Sequence, residues 1–381
     1  TVPRLKCRSL APFAPKVPRT DFIAYYRVPS RAMARATLLV ACLLAAVAVS
    51  SAASCESSNL GPTAVSGGYC FGVWAPHASS ASIQPKNNND GRWSETTMQF
   101  DSPTGVFTAF VANAQPGDAY VFMFNGNTMR LDPRAQDIAP GTGNFAYSVI
   151  HNPSFQWTDG GFTPPGPSKA IIYEMHIPSF TQNGGSMGTF SSAAAKLPYL
   201  QKLGINMIEL MPVATFCDQA DGWGYNPCAP FAAMQAFGGA DGLKSFVNAA
   251  AQHNIGVMLD VVWNHADGGN ILKDFDTYDG AAGNGIYFYE GSNTAETFWG
   301  PRPNFNTTQV AEYIQDSIEM WIKEYHIAGF RWDSTICIRK PAESCWTQSS
   351  NLDAGWVVMQ KANTVTLQLQ PMAVTSAEDT Q

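Results

Sequence analysis

The sequence predicts an α/β protein in which a small antiparallel β-sandwich precedes a parallel sheet built from βα units. Three observations lead there. Between about Cys55 and Trp157 short β-like runs (Tyr69–Trp74, Val106–Val111, Ala119–Phe124) alternate with turn material such as Asn87-Asn88-Asn89-Asp90-Gly91 and Gln115-Pro116-Gly117-Asp118, the pattern of a sandwich. The stretch Gly161–Ser168, carrying Pro164, Pro165 and Pro167, reads as a linker. Beyond it, short apolar strands (Ala170–Ile177, Asn206–Met211, Gly256–Val262, Gly329–Trp332, Ala373–Ser376) alternate with helical stretches (Ser192–Leu203, Leu243–His253, Gln309–Tyr325, Gly355–Leu369), and a βα repeat implies a parallel sheet. Residues 54–160 are thus assigned to the sandwich, 161–168 to the linker and 169–381 to the βα domain. An irregular excursion over 266–306, rich in Gly, Asp, Asn and aromatics, is long enough to be functional.

The front end has a different character. Met33-Ala34-Arg35, the apolar run Leu38–Val49 and the small residues Ser51-Ala52-Ala53 form a basic start, a short hydrophobic centre and a small-residue end, which is a secretory signal peptide over 33–53. Its 12 apolar residues fall short of the roughly 20 a membrane span needs. Residues 1–32 read as upstream gene-model sequence. Without residues 1–53 the chain keeps 15 Lys/Arg against 29 Asp/Glu, a net charge of −14, which disfavours nucleic acid or an anionic membrane as partner and favours a neutral substrate. Six cysteines remain in near-neighbour pairs, Cys55 and Cys70, Cys217 and Cys228, Cys337 and Cys345. Secretion makes three short-loop disulfides the expectation, although six cysteines allow 15 connectivities and proximity alone favours this one.

Three successive strands end in acids. The third runs out as Asp260-Val261-Val262-Trp263-Asn264-His265, the fourth as Gly329-Phe330-Arg331-Trp332-Asp333, the fifth as Ser376-Ala377-Glu378-Asp379. Period-2 alternation puts Arg331 and Asp333 on one face, and in a βα barrel the C-terminal rim is where active sites sit. Two carboxylates on one pocket are what retaining glycoside cleavage needs, one attacking the anomeric carbon and one protonating the leaving oxygen. Asp333 beside Arg331 suits the anionic nucleophile, and Glu378 suits a partly desolvated acid/base.

These segments resemble the first, second and third conserved regions of glycoside hydrolase family 13, the α-amylase family, in order and spacing. The resemblance implies Asp333 as nucleophile, Glu378 as acid/base, and Arg331, Asp260 and His265 as supports around the sugar. Tyr225, in Trp223-Gly224-Tyr225-Asn226-Pro227, matches the aromatic on which that sugar stacks, with Trp223 beside it as a further substrate-binding residue. Asn264 matches a position that ligates calcium in many members, so the implied cofactor set is none required, with calcium as an option. Phe71-Gly72-Val73-Trp74-Ala75-Pro76 and Arg130-Leu131-Asp132-Pro133 resemble the carbohydrate-binding module 48 domains that precede the barrel in glycogen branching enzymes and isoamylase-like proteins. Trp74 itself is expected in the core.

A family barrel has eight βα units, whereas this chain reads as a (β/α)8 TIM-type barrel truncated after about five strands, without the fourth conserved region and its further Asp. Three functional readings follow. The first is a secreted α-1,4-glucan hydrolase working through a covalent glycosyl-enzyme intermediate. The second is a 1,4-α-glucan branching transglycosidase. The third is a non-catalytic glucan-binding fragment.

Overall fold

The structure, a computed structural model, describes residues 55–86, 90–140, 145–276, 285–291, 294–341, 345–347 and 350–379. The signal-like segment 33–53 and residues 1–32 lie outside them.

Alternating apolar residues build two antiparallel sheets. The first contains β1 (Gly61–Val65), β2 (Gly68–Trp74), β6 (Val106–Ala112) and β5 (Gln99–Asp101) in the order β1-β2-β6-β5. The second runs β4 (Thr96–Thr97), β3 (Ala81–Pro85), β7 (Ala119–Phe124), β10 (Phe145–Val149), β9 (Asp137–Pro140), with β8 (Thr128–Arg130) paired to β7. Phe71, Tyr120, Phe122 and Phe124 are buried between them, where their large apolar area contributes to the layer's hydrophobic stabilisation. Trp74 is buried too, its ring edge-on to Tyr287 at 5.6 Å.

The Arg130–Pro133 motif works as a junction. Asp132 is fully buried and accepts from the Tyr120 hydroxyl (2.6 Å) and the Arg134 N–H (2.8 Å). Arg134 then ion-pairs with Asp316 (2.6 Å), and the Tyr313 hydroxyl donates to the Pro133 carbonyl (2.8 Å). Both partners lie on a helix of the βα domain, so a buried acid with satisfied hydrogen bonds joins sandwich to barrel.

The βα domain has five parallel strands in sequence order: β11 (Ile172–Met175), β12 (Met207–Leu210), β15 (Gly256–Val261), β16 (Gly329–Trp332) and β17 (Val374–Ala377). Six buried residues in a row in β15 are what a strand covered on both faces requires. Gly329 opens β16 because a Cβ there would meet the Val374 carbonyl oxygen at 1.9 Å. The helices are α1 (Ile177–Phe180), α2 (Phe190–Ala194), α3 (Leu197–Leu203), α4 (Gly239–Gln252), α5 (Thr308–Tyr325), α6 (Thr335–Arg339) and α7 (Asp353–Leu369).

Two expectations change. The single helix over Ser192–Leu203 is two helices, because Pro198 lacks the N–H a continuous helix would donate to Ala194. Thr189 caps the first of them reciprocally with Ser192. A hairpin, β13 (Ala214–Phe216) with β14 (Pro227–Ala233), was not expected, since Pro227 and Pro230 argue against a strand. Register shifts in the pairing accommodate them. Cysteines pair as Cys55–Cys70, Cys217–Cys228 and Cys337–Cys345 with Cα–Cα separations of 5.5, 5.6 and 5.1 Å.

Candidate active site

Register brings the acids together. In the parallel ladder Asp260 of β15 stands opposite Arg331 of β16, and Arg331 opposite Ser376 of β17. The ladder continues past the strand ends, the Asp333 N–H donating to the Val261 carbonyl (3.0 Å) and the Glu378 N–H to the Trp332 carbonyl (2.9 Å). Three adjacent strands therefore deliver their terminal acids to one rim.

Arg331 is the hub. Its Nη1 reaches Asp260 Oδ2 (2.8 Å) and Asp333 Oδ1 (2.7 Å), while Nη2 reaches Glu378 Oε2 (3.0 Å). One planar guanidinium spans Asp333 and Glu378 and so ties the two carboxylates to one point of the rim. The second Asp333 oxygen accepts from the Asn264 amide nitrogen at 2.7 Å. Asn264 Oδ1 is thereby the acceptor for His265 Nδ1 (2.5 Å), which fixes the tautomer with Nδ1 protonated. His265 Nε2 is buried and has no protein partner among the described residues.

Burial dominates the electrostatics. It pushes the Asp260 carboxyl up to about 7, against the opposing charge of Arg331 and with that of Asp333. It lowers His265 to about 4, so the imidazole is neutral at neutral pH. Asp333 is also raised by burial, in opposition to the hydrogen bond from Asn264 and the charge of Arg331. Arg331 is raised by Asp260 and Asp333 although burial works against it, and stays a cation.

The sequence expected Glu378 to be the desolvated carboxyl and Asp333 to be governed by Arg331. The Asp333 side chain is 13% exposed, roofed by Asn264, and that of Glu378 is 42% exposed. The backbone just past Asp333 is unusual, with Ser334 in the left-handed region at φ 38°, ψ 54°. That turn aims the Ser334 N–H at Glu378 Oε2 (2.9 Å), a local conformational cost of the kind functional sites hold.

Asp333, Glu378, Arg331, His265 and Tyr225 line a cavity of about 440 Å³, with Trp223, Trp299 and Trp346 also on its wall. Tyr225 comes from the β13–β14 hairpin, donates to Asp260 Oδ2 (2.8 Å) and packs its ring 5.9 Å from the Arg331 guanidinium. Asp260 and Asn264, expected at the substrate and at a metal respectively, stand behind the wall instead. Asn264 directs both side-chain atoms into the catalytic cluster, so its surroundings do not fit a calcium site. The one group of three His, Cys, Asp or Glu ligand atoms among the described residues is Cys217, Cys228 and Asp267, two of which are joined as a disulfide. Sequence reasoning missed Trp299, Trp346, Ile336 and Ser334. The aromatic richness of 266–306 was the one available signal, and it singled out no residue.

Comparison with known proteins agrees with this fold. The model of the alpha amylase catalytic domain matches residues 150–279, and that of carbohydrate-binding module 48 (isoamylase N-terminal domain) matches 59–135. Malto-oligosyltrehalose trehalohydrolase of Saccharolobus solfataricus is 34% identical over 275 residues, covering 71% of this chain and 45% of that protein. The 1,4-alpha-glucan branching enzyme of Lactiplantibacillus plantarum is 29% identical over 346 residues, covering 83% and 52%. The chain thus spans about half the length of these curated relatives. The pullulanase of Paenibacillus barengoltzii superposes with a TM-score of 0.70 at 22% identity, covering 85% of this chain and 53% of that one, a likeness of fold. The chain carries a catalytic domain of the α-amylase family, glycoside hydrolase family 13, behind a carbohydrate-binding module 48 domain.

Proposed function

We propose that the protein cleaves α-1,4-linked glucan as a retaining glycosidase of hydrolytic type. Asp333 attacks the anomeric carbon to form the covalent glycosyl-enzyme, and Glu378 gives its proton to the departing glycosidic oxygen. Glu378 then takes a proton from the water that releases the sugar. The neutral His265 ring lines the cavity beside the reacting sugar, and Tyr225 stacks on the ring with Trp223 at the rim. The observation that carries this reading is the single guanidinium of Arg331 bridging both carboxylates on a cavity of sugar size.

The trehalohydrolase relatives support hydrolysis. Branching transfer, in which a second glucan replaces water, is favoured by the branching-enzyme relatives and the front carbohydrate-binding module. Three disulfides support an oxidising, secretory compartment, and no helix among the described residues is long and apolar enough to cross a membrane. Incubation with amylose separates the readings. Reducing ends that rise without new branches support hydrolysis, new α-1,6 branches at constant reducing ends support transfer, and neither change overturns both.

A further inference from the structure

We propose that Trp299 and Trp346 form a sugar-stacking corner that selects glucan chains extending beyond the reacting residue. The inference deepens the glucan reading and rests on it. The two indoles meet edge to face, 5.4 Å apart at 81°, and Trp299 lies 5.6 Å from the His265 ring. Trp299 is 40% and Trp346 39% exposed. Large aromatics left exposed at a cavity's edge mark binding surfaces, and the apolar C–H face of a pyranose is the surface an indole face complements. Since Trp299 is one side chain from the catalytic cluster and Trp346 one further, the corner serves units next to the reacting sugar.

Both rings stand on backbone tied to the rest of the fold. Trp299 sits at the tip of a hairpin closed by the Glu296–Pro301 bridge, the Arg302 N–H to Ala295 carbonyl bond (2.8 Å) and the Thr297 N–H to Gly300 carbonyl bond (2.8 Å). The hairpin is stitched to the strand exit beside His265, the Ala266 N–H donating to the Pro301 carbonyl (2.9 Å). Contact is so close that a Cβ at Gly300 would meet the Ala266 carbonyl oxygen at 2.2 Å. Trp346 follows Cys345, whose disulfide to Cys337 anchors it to α6, directly beyond the Asp333–Ser334 turn.

Arg302 links the two supports. It is fully buried and donates to the carbonyls of Thr294 (2.6 Å), Cys337 (3.0 Å) and Pro341 (2.8 Å). A ligand meeting preset rings loses little further side-chain entropy on binding, which is where such anchoring raises affinity.

The test is calorimetric titration of maltotriose, maltopentaose and maltoheptaose into the full chain carrying Asp333→Asn to prevent turnover. Affinity in that parent is expected to rise with length. Adding Trp346→Ala should weaken maltoheptaose about tenfold and maltotriose by clearly less, and Trp346→Phe should retain most of the gain. Joint Cys337→Ser and Cys345→Ser should fall between parent and Trp346→Ala. Equal loss at every length, or no loss at all, overturns the corner. A parent that binds none of the three sugars overturns the underlying glucan reading, an outcome visible before any tryptophan variant is made.

Discussion

Asp260→Asn is expected to stabilise the protein at alkaline pH relative to acid, although it sits in the catalytic cluster. The Asp260 carboxyl is 3% exposed and raised to about 7 by burial, whereas in the unfolded chain it titrates near 3.9. Between those values the folded state binds more protons than the unfolded one, so this group's contribution falls as pH rises from about 4 to about 7 and is constant above. The three-unit gap corresponds to a penalty of about 4 kcal/mol at pH 8 and about 1.5 kcal/mol at pH 5. Asparagine carries no such penalty. It gives up charge pairing with Arg331, but Arg331 keeps Asp333 and Glu378, and the Tyr225 hydroxyl can still donate to the amide oxygen. The charge pairing is already contained in the raised pKa, and what remains of the difference between asparagine and a protonated carboxyl does not depend on pH, so the comparison across pH isolates the titration. Thermal melts of wild type and variant at pH 5 and pH 8 should show the variant's Tm, relative to wild type, higher at pH 8 by about 5 °C. A relative Tm unchanged between the two pH values, within about 1 °C, would refute the claim that Asp260 is held protonated by the fold.

Asp333→Asn should lower turnover on α-glucan at least about a hundredfold while leaving binding nearly intact, since loss of a covalent nucleophile removes several kcal/mol of transition-state stabilisation; parallel kinetics and calorimetry check it. Glu378→Gln should slow natural glucan severely yet spare the first step with an activated aryl glycoside whose leaving group needs no proton, and equal slowing of both would withdraw Glu378 as the acid. Non-reducing peptide mapping should recover Cys55 with Cys70, Cys217 with Cys228 and Cys337 with Cys345. A free thiol or cross-pair among them would contradict the fold.

What the sequence determined by itself is what strand periodicity and local motifs encode. β15, β16 and the acids at their ends were legible because a buried parallel strand is a short apolar run, and the residue after it must reach the rim. The pairing of neighbouring cysteines was legible because the loops are short. Arg331 and Asp333 sharing a face needed only the two-residue pleat.

Tertiary structure decided the rest, because burial and approach across the fold leave no local trace. Asp260 stands behind Arg331 rather than at the cavity, and Asn264 belongs to Asp333 and His265 rather than to a metal. Asp333 is roofed by Asn264 from the neighbouring strand exit, a contact that no local pattern encodes. The helix expected over Ser192–Leu203 breaks at Ala195 and Lys196, just ahead of Pro198, a local cause the apolar pattern outweighed. Trp299 and Trp346 are 47 positions apart, on segments whose meeting depends on buried Arg302 and the disulfide from Cys337. No periodicity links such residues, so the aromatic corner appears only once the chain has folded.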